Sequence, residues 1–249
     1  MGEVGRTRAE EIAANLRSVS ARLADACRAA DRDPADVQLL PVTKFFPASD
    51  VAILYGLGCR EFGESREQEA SSKVVELAAM TAADSAAVRW HMIGSVQRNK
   101  ARSIAQWAYA IHSVDSPRLV DALAKAATAA LEEGGRERPL RVLLQVSLDG
   151  DPLRGGVPVD ELTELADHAE SAAGLELSGL MAVPPLGSDP ERAFAALQSA
   201  HNELLSSHPA ATALSAGMTD DLEVAVRYGS TCVRVGTALL GSRPIASKN

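Results

Sequence analysis

The sequence predicts an α/β protein, a single (β/α)8 barrel of the TIM type, on three observations. Eight short apolar runs alternate with Ala-rich helical stretches almost to the end of the chain. Several of the runs are continuously apolar rather than alternating, the pattern of parallel strands buried on both faces. The length, 249 residues, is what one such barrel takes. An open doubly wound sheet is the competing architecture, and the number of strands disfavours it.

In order, the strands fall at residues 37–43, 60–63, 89–94, 110–113, 141–147, 177–183, 213–215 and 231–236. Helical patterns fill the intervals at 48–55, 66–80, 98–107, 117–132, 159–172, 190–206 and 220–228. Ser116-Pro117 and Asp189-Pro190 each pair an N-cap with a proline at the first helical position. Gly56, Gly134, Gly174 and Gly229 stand where helices stop. A leading helix over 7–30 is expected to cover the barrel where an eighth helix would otherwise sit. No linker, repeat or low-complexity tract divides the chain, so residues 1–249 read as one domain.

Apolar residues make up 46% of the chain and aromatic ones 4%, so aliphatic side chains and alanine must fill the core. With 25 Lys plus Arg against 33 Asp plus Glu, the formal charge is −8. That balance argues against a nucleic-acid surface and suits a cytoplasmic protein. Cys27, Cys59 and Cys232 are isolated, without C-x-x-C or metal-ligand spacing, as in a reducing compartment. The first residues lack an apolar signal core, and no stretch is long enough to span a bilayer, so no membrane association is expected.

In such a barrel, chemistry belongs at the C-terminal ends of the strands. The unusual polar residues lie there: Lys44, Glu64-Ser65, His91, and the runs 215–219 and 234–237. A period of two puts Leu40, Val42 and Lys44 on one face of the first strand. Lys44 is then either a strand-capping lysine reaching for water or a desolvated amine suited to a Schiff base. Position alone favours the first reading. On the last strand, Cys232 and Arg234 lie opposite Val233 and Val235. The valines suit the helix-facing side, which turns Arg234 inward, where it needs a partner. Gly236-Thr237 then offers backbone N–H groups and a hydroxyl to a phosphate. The alternative, an arginine paired with a barrel carboxylate beside a plain glycine turn, weighs equally. Ser215, Gly217 and Thr219 are further phosphate donors, unless Thr219 or Asp220 simply caps the next helix. Barrels often place a phosphate on the loops after strands seven and eight, which raises both candidates together. His91 reads best as a hydrogen-bonded structural histidine, and Gln97, Asn99 and Lys100 as a helix start or a partner contact. The remaining histidines show no metal spacing.

Taken in order, Val42-Thr43-Lys44, Phe62-Gly63-Glu64, Trp90-His91-Met92-Ile93-Gly94 with Gln97-x-Asn99-Lys100, Ile111-His112-Ser113-Val114-Asp115, Gly179-Leu180-Met181-Ala182 and the run 214–241 carry a resemblance. From about residue 39 to 241 the chain resembles the pyridoxal-phosphate homeostasis proteins. The resemblance implies a barrel like the N-terminal domain of alanine racemases, with pyridoxal 5′-phosphate as cofactor. It implies an aldimine on Lys44, Arg234 facing the pyridine nitrogen, and the phosphate on Ser215, Thr219, Gly236 and Thr237. It further implies a carrier or regulator in vitamin B6 homeostasis without turnover of its own, a monomer whose partners are the cofactor and apo-enzymes that need it.

Some positions depart from the family pattern. Ser65 stands where asparagine is usual near the ring, and Ala216 replaces a common methionine. Thr219 replaces serine but keeps the hydroxyl. Arg154 stands where lysine is common and cannot readily form an imine, so no secondary aldimine is expected there. The competing functions are a pyridoxal-phosphate-dependent racemase or lyase and, more remotely, a phosphosugar-type barrel enzyme. A racemase of this kind needs a further β-domain to supply a second acid/base group, and only residues 242–249 follow Gly241.

Overall fold

The computed structural model describes residues 7–82, 87–151, 153–185 and 187–242. Thr7 opens helix α1 (Arg8–Ala29) through a capping box. Its hydroxyl accepts from the Glu10 N–H while its own N–H donates to the Glu10 carboxylate. Strands and helices then alternate: β1 (Gln38–Pro41), α2 (Ala48–Gly56), β2 (Glu61–Glu64), α3 (Glu67–Met80), β3 (Arg89–Met92), α4 (Ala101–Trp107), β4 (Ala108–Val114) and α5 (Pro117–Glu132). The second half repeats the pattern with β5 (Leu140–Gln145), α6 (Leu162–Ser171), β6 (Leu175–Met181), α7 (Pro190–Ser207), β7 (Ala213–Ser215), α8 (Leu222–Arg227), β8 (Cys232–Val235) and α9 (Thr237–Leu240).

All eight strands form one parallel sheet in the order β1-β8-β7-β6-β5-β4-β3-β2. Its two ends meet at a parallel bridge between Val42 and Gly63, with the Thr43 N–H donating to the Gly63 carbonyl at 3.0 Å. That closes the ring, and the (β/α)8 barrel is what the chain forms. Gly63 suits the seam, because a Cβ there would lie 3.3–3.5 Å from Ile93, Leu40 and Val42 side chains.

The helix-facing side of the sheet is aliphatic. Ile12, Val19 and Leu23 of α1 pack with Val51 and Leu54 of α2, Leu222 and Val226 of α8, and Val233 and Val235 of β8. So α1 does take the place of an eighth long helix. The inner side is different: Glu61, His91, His112, Ser215 and Arg234 are linked there by hydrogen bonds.

The element boundaries show local physics that periodicity does not resolve. β1 stops at Pro41 because Val42 only bridges and the chain turns over residues 43–45. Short 3-10 turns at Arg98–Lys100 and Val159–Glu161 precede α4 and α6. Asp189 caps α7 by accepting from the Glu191 N–H at 3.1 Å, whereas Ser116 makes no side-chain cap and α5 begins on its proline alone. The left-handed turn after α2 falls on Gly58 rather than Gly56, which is still helical.

Candidate functional site

Where β1 ends, the chain must turn sharply at the barrel mouth. Phe45 adopts a left-handed backbone, φ 70°, a conformation that costs a non-glycine residue about 1–3 kcal/mol unless its surroundings impose it. The surroundings do. The Phe45 N–H donates to Glu69 Oε1 at 2.5 Å, and Lys73 Nζ donates to the Thr43 carbonyl at 2.9 Å. Lys73 also reaches Glu64 Oε1 at 2.7 Å and Glu69 Oε1 at 3.0 Å, while the Thr43 hydroxyl donates to Glu64 Oε1 at 2.6 Å. Glu64 is fully buried. Burial pushes its carboxyl above the usual range, and the Lys73 ammonium opposes that push. This buried cluster fixes the turn that carries Lys44.

Lys44 is half-buried and lines a cavity of about 350 Å³ at the C-terminal end of the barrel. The same cavity is lined by Thr219, Arg234, Gly236 and Thr237, with Val42, Phe45, Phe46, Ile93 and Met218 as its apolar wall. A size of this order, with few polar groups among apolar ones, is that of a small-molecule site.

Arg234 lies at the cavity floor, 5% exposed. Its Nη1 donates to the Ser215 carbonyl at 2.6 Å and the Ser215 hydroxyl at 2.7 Å, and its Nη2 donates to the Ala182 carbonyl at 3.0 Å. The inward register read from strand alternation therefore holds. Its side-chain hydrogen bonds go to neutral acceptors, not to the carboxylate that one reading anticipated, and burial lowers its pKa from the ordinary arginine value.

Ser215 is fully buried one layer beneath the cavity, and its hydroxyl is engaged by Arg234 and by His112 Nδ1 at 2.9 Å. A chain continues from there: His112 Nε2 to His91 Nδ1 at 2.9 Å, then His91 Nε2 to Glu61 Oε2 at 2.7 Å. An arginine only donates. If Ser215, His112 and His91 each pass one proton onward, every bond has one donor and the chain ends on the Glu61 carboxylate. Burial first, then His91, Arg234 and Arg141, hold His112 well below the usual histidine pKa, consistent with a neutral His112 ring. Desolvation acts against the Glu61 anion, yet hydrogen bonds from His91, Gln38 and Arg89 hold its pKa down to about 2. His91 is thus hydrogen-bonded in place, as its strand position suggests.

On the opposite rim, Gly217 has φ 91°, and a Cβ there would sit 2.5 Å from Ala225 Cβ. Asp221 is the N-cap residue of α8 without a side-chain cap bond, and its carboxylate instead accepts from the preceding Met218 N–H at 2.6 Å. The helix consequently starts later than Thr219 or Asp220, and both of those remain on the cavity wall. Gly236 approaches β1 so closely that a Cβ would lie 3.3 Å from the Val42 carbonyl oxygen. α9 begins at the next residue, a four-residue helix too short to show in the sequence pattern.

Other candidates lie elsewhere. Ser65, with Gln97 and Lys100, lines an adjoining depression rather than the cavity, and Asn99 lines a shallow groove beside Arg118. Arg154 bonds Asp149 and the Val183 and Pro184 carbonyls. Among the described residues no group of three His, Cys, Asp or Glu side chains could hold a metal ion, and no helix is long and apolar enough to cross a membrane. Sequence reasoning missed Glu69 and Lys73; their i, i+4 spacing on α3 was the available signal.

A closed parallel barrel with a lysine, a buried arginine and two hydroxyl-bearing loops at its mouth is the architecture of one class of domain, and residues 10–244 match the alanine racemase N-terminal domain family. An alanine racemase from Corynebacterium glutamicum shares the fold, with a TM-score of 0.68 at 15% identity, over 97% of this chain and 63% of the racemase. Within that class, the chain belongs to the pyridoxal phosphate homeostasis proteins. It is 55% identical to the one of Mycobacterium tuberculosis, with 96% of each chain covered. The structure of PipY from Synechococcus elongatus with PLP bound superposes with a TM-score of 0.75 at 33% identity, over 92% of this chain and all of PipY.

Proposed function

We propose that this chain holds pyridoxal 5′-phosphate at the barrel mouth and carries or buffers it in intracellular vitamin B6 homeostasis. One observation carries the reading: Lys44, Thr219, Arg234, Gly236 and Thr237 line a single cavity. In this reading Lys44 bonds covalently to the cofactor's aldehyde carbon, and Arg234 donates to its pyridine nitrogen. Thr219, Gly236 and Thr237 take the phosphate. Ser215 supports Arg234 from beneath, and Ser65 acts only across the adjoining depression.

Bound there, the cofactor supplies an electrophilic aldehyde and a conjugated ring able to act as an electron sink. The protein's groups favour holding over turnover. A guanidinium has no acceptor site and stays charged, so it donates to the ring nitrogen and disfavours its protonation. The neutral acceptors around Arg234 keep that group oriented. Among the described residues no tyrosine lines the cavity to act as a second acid/base group. A racemase or lyase is the alternative function. We also infer that the chain is one domain over residues 1–249, cytoplasmic and monomeric, and that its partners are apo-enzymes that accept the cofactor.

The test is an absorption spectrum of the purified protein before and after borohydride, followed by peptide mapping. The pyridoxyl group should map to Lys44, and an adduct confined to Lys73, Lys100 or Lys125 sinks the reading. Deuterium exchange at the α-carbon of a common amino acid, abolished by Lys44→Ala, would overturn the non-enzymatic part.

A further inference from the structure

We infer that helix α1 is a positioning element for the phosphate end of the site, acting through Arg8, Asn15 and Arg22. The inference rests on the site reading above and extends it to residues outside the cavity wall.

Arg8, Asn15 and Arg22 are spaced seven residues apart, so they form one stripe along the helix. Ile12, Val19 and Ala26 form a parallel stripe with the same spacing and are buried. The apolar stripe seats the helix on the barrel, and the polar stripe runs along the rim. Successive members lie roughly 10 Å apart along the axis, so the stripe reaches both loops at once.

What it touches there is backbone. Arg22 Nη1 donates to the Thr219 carbonyl at 2.6 Å, while its Nε and Nη2 grip the Glu223 carboxylate at 2.5 and 2.6 Å. A planar fork held on two edges fixes the Thr219 peptide against the helix that follows it. Asn15 Nδ2 donates to the Leu239 carbonyl at 3.0 Å, and Arg8 Nη2 donates to the Leu240 carbonyl at 2.8 Å. Those carbonyls end α9, the helix that begins at Thr237. A helix of four residues leaves its last carbonyls without intrahelical donors. Two of those donors come from α1. Leu239 and Leu240 anchor α9 in the apolar cluster beneath α1, and the Asn15 and Arg8 bonds set how that anchored turn presents Gly236-Thr237.

Arg8 shows that the contacts have specific partners. A cation in the first helical turn opposes the helix dipole. Here Arg8 is bonded to Asp50 Oδ2 at 2.7 Å and Glu11 Oε2 at 3.0 Å as well as to the Leu240 carbonyl.

The experiment compares pyridoxal 5′-phosphate with pyridoxal, which has the aldehyde and ring but no phosphate. Affinities are read from the absorption band of each bound ligand in wild type, Arg22→Lys, Asn15→Leu and the double variant Asn15→Leu/Arg22→Met. The double variant should bind pyridoxal 5′-phosphate roughly tenfold more weakly than wild type, with pyridoxal unchanged. Arg22→Lys, which keeps one donor for Thr219, should fall between. In the apo-protein, amide exchange over residues 217–219 and 236–240 should rise in the double variant and not elsewhere. Equal losses for both ligands would show a general structural role and overturn the inference, as would no loss for either. If the double variant does not fold, the Arg22→Lys and Asn15→Leu ratios decide in the same way. Wild type that binds neither ligand would refute the site reading itself, a distinct result, and the inference with it.

Discussion

The two halves of the barrel mouth are held by opposite means. On the β1–β2 side, buried charges meet charges: Glu64, Lys73 and Glu69 clamp the turn that presents Lys44. On the β7–β8 side, a buried arginine meets carbonyls and a hydroxyl. The difference follows from what each side has to fix. Two lysines come to one mouth, and the proposed function assigns only Lys44 as nucleophile. Lys73 donates to three acceptors, while Lys44 lines the cavity. In the proposed function the arginine aims its charge at a ligand nitrogen, and neutral acceptors orient it without competing as anions. A buried ion pair is costly to break from one side only, whereas a shell of neutral acceptors yields gradually. The two halves should therefore fail differently.

The largest effect should come from Lys44→Ala, which removes the covalent link completely while leaving the unfolding transition close to wild type, since the residue is half-buried at the mouth. A normal spectrum in this variant would move the nucleophile elsewhere, with Lys73 the obvious rival. Next comes the clamp. Lys73→Met strands a fully buried carboxylate, and loss of one partner of such a pair costs about 3–5 kcal/mol. Glu64→Gln with Lys73→Met should recover much of that in urea unfolding. If the single and double variants are equally stable, the charge pair is not what holds the β1–β2 side.

Acid should probe the chain beneath the β7–β8 side. His112 has a folded pKa below its unfolded one, so its neutral form stabilises the fold above about pH 6.5 and that contribution is lost as pH falls below it. Glu61 has a folded pKa near 2 against an ordinary 4.5, so its contribution is present above the unfolded value and lost as pH falls from there toward 2. The second loss amounts to roughly 3 kcal/mol before allowance for the partial exposure of Glu61. Urea midpoints should drop in two stages, and Glu61→Gln should abolish the lower one. A single stage unaltered by Glu61→Gln would break the proton-chain picture. The smallest effects belong to the phosphate loop. Gly236→Val must displace the Val42 carbonyl and should weaken cofactor binding by roughly tenfold or more, while Thr237→Ser, which keeps its hydroxyl, should change it little. Equal behaviour of the two would misplace the phosphate.

Much of this was legible before any coordinates. Several of the strands are short, continuously apolar runs, and the inward turn of Arg234 follows from Val233 and Val235 seeking the helices. Depth was not legible. Alternation sends Ser215 inward but does not say that it lies below the cavity, where its hydroxyl serves Arg234. Glu69 and Lys73 read as an ordinary exposed helix pair, and tertiary packing against Thr43 buries Lys73. α8 starts at Leu222, after both Thr219 and Asp220, with Asp221 as N-cap residue and no side-chain cap bond.

The seam between β1 and β2 deserves one further thought. Elsewhere β1 is laced to β8 along its whole length, while toward β2 it is joined through the bridge at Val42 and Gly63. Lys44 is two residues beyond that join. Local opening at this seam works against the Glu64, Lys73 and Thr43 cluster that braces it. If the cofactor sits on Lys44 as proposed, its loading and unloading should follow opening at this one stitch, with a rate that tracks amide exchange at Thr43 rather than global unfolding.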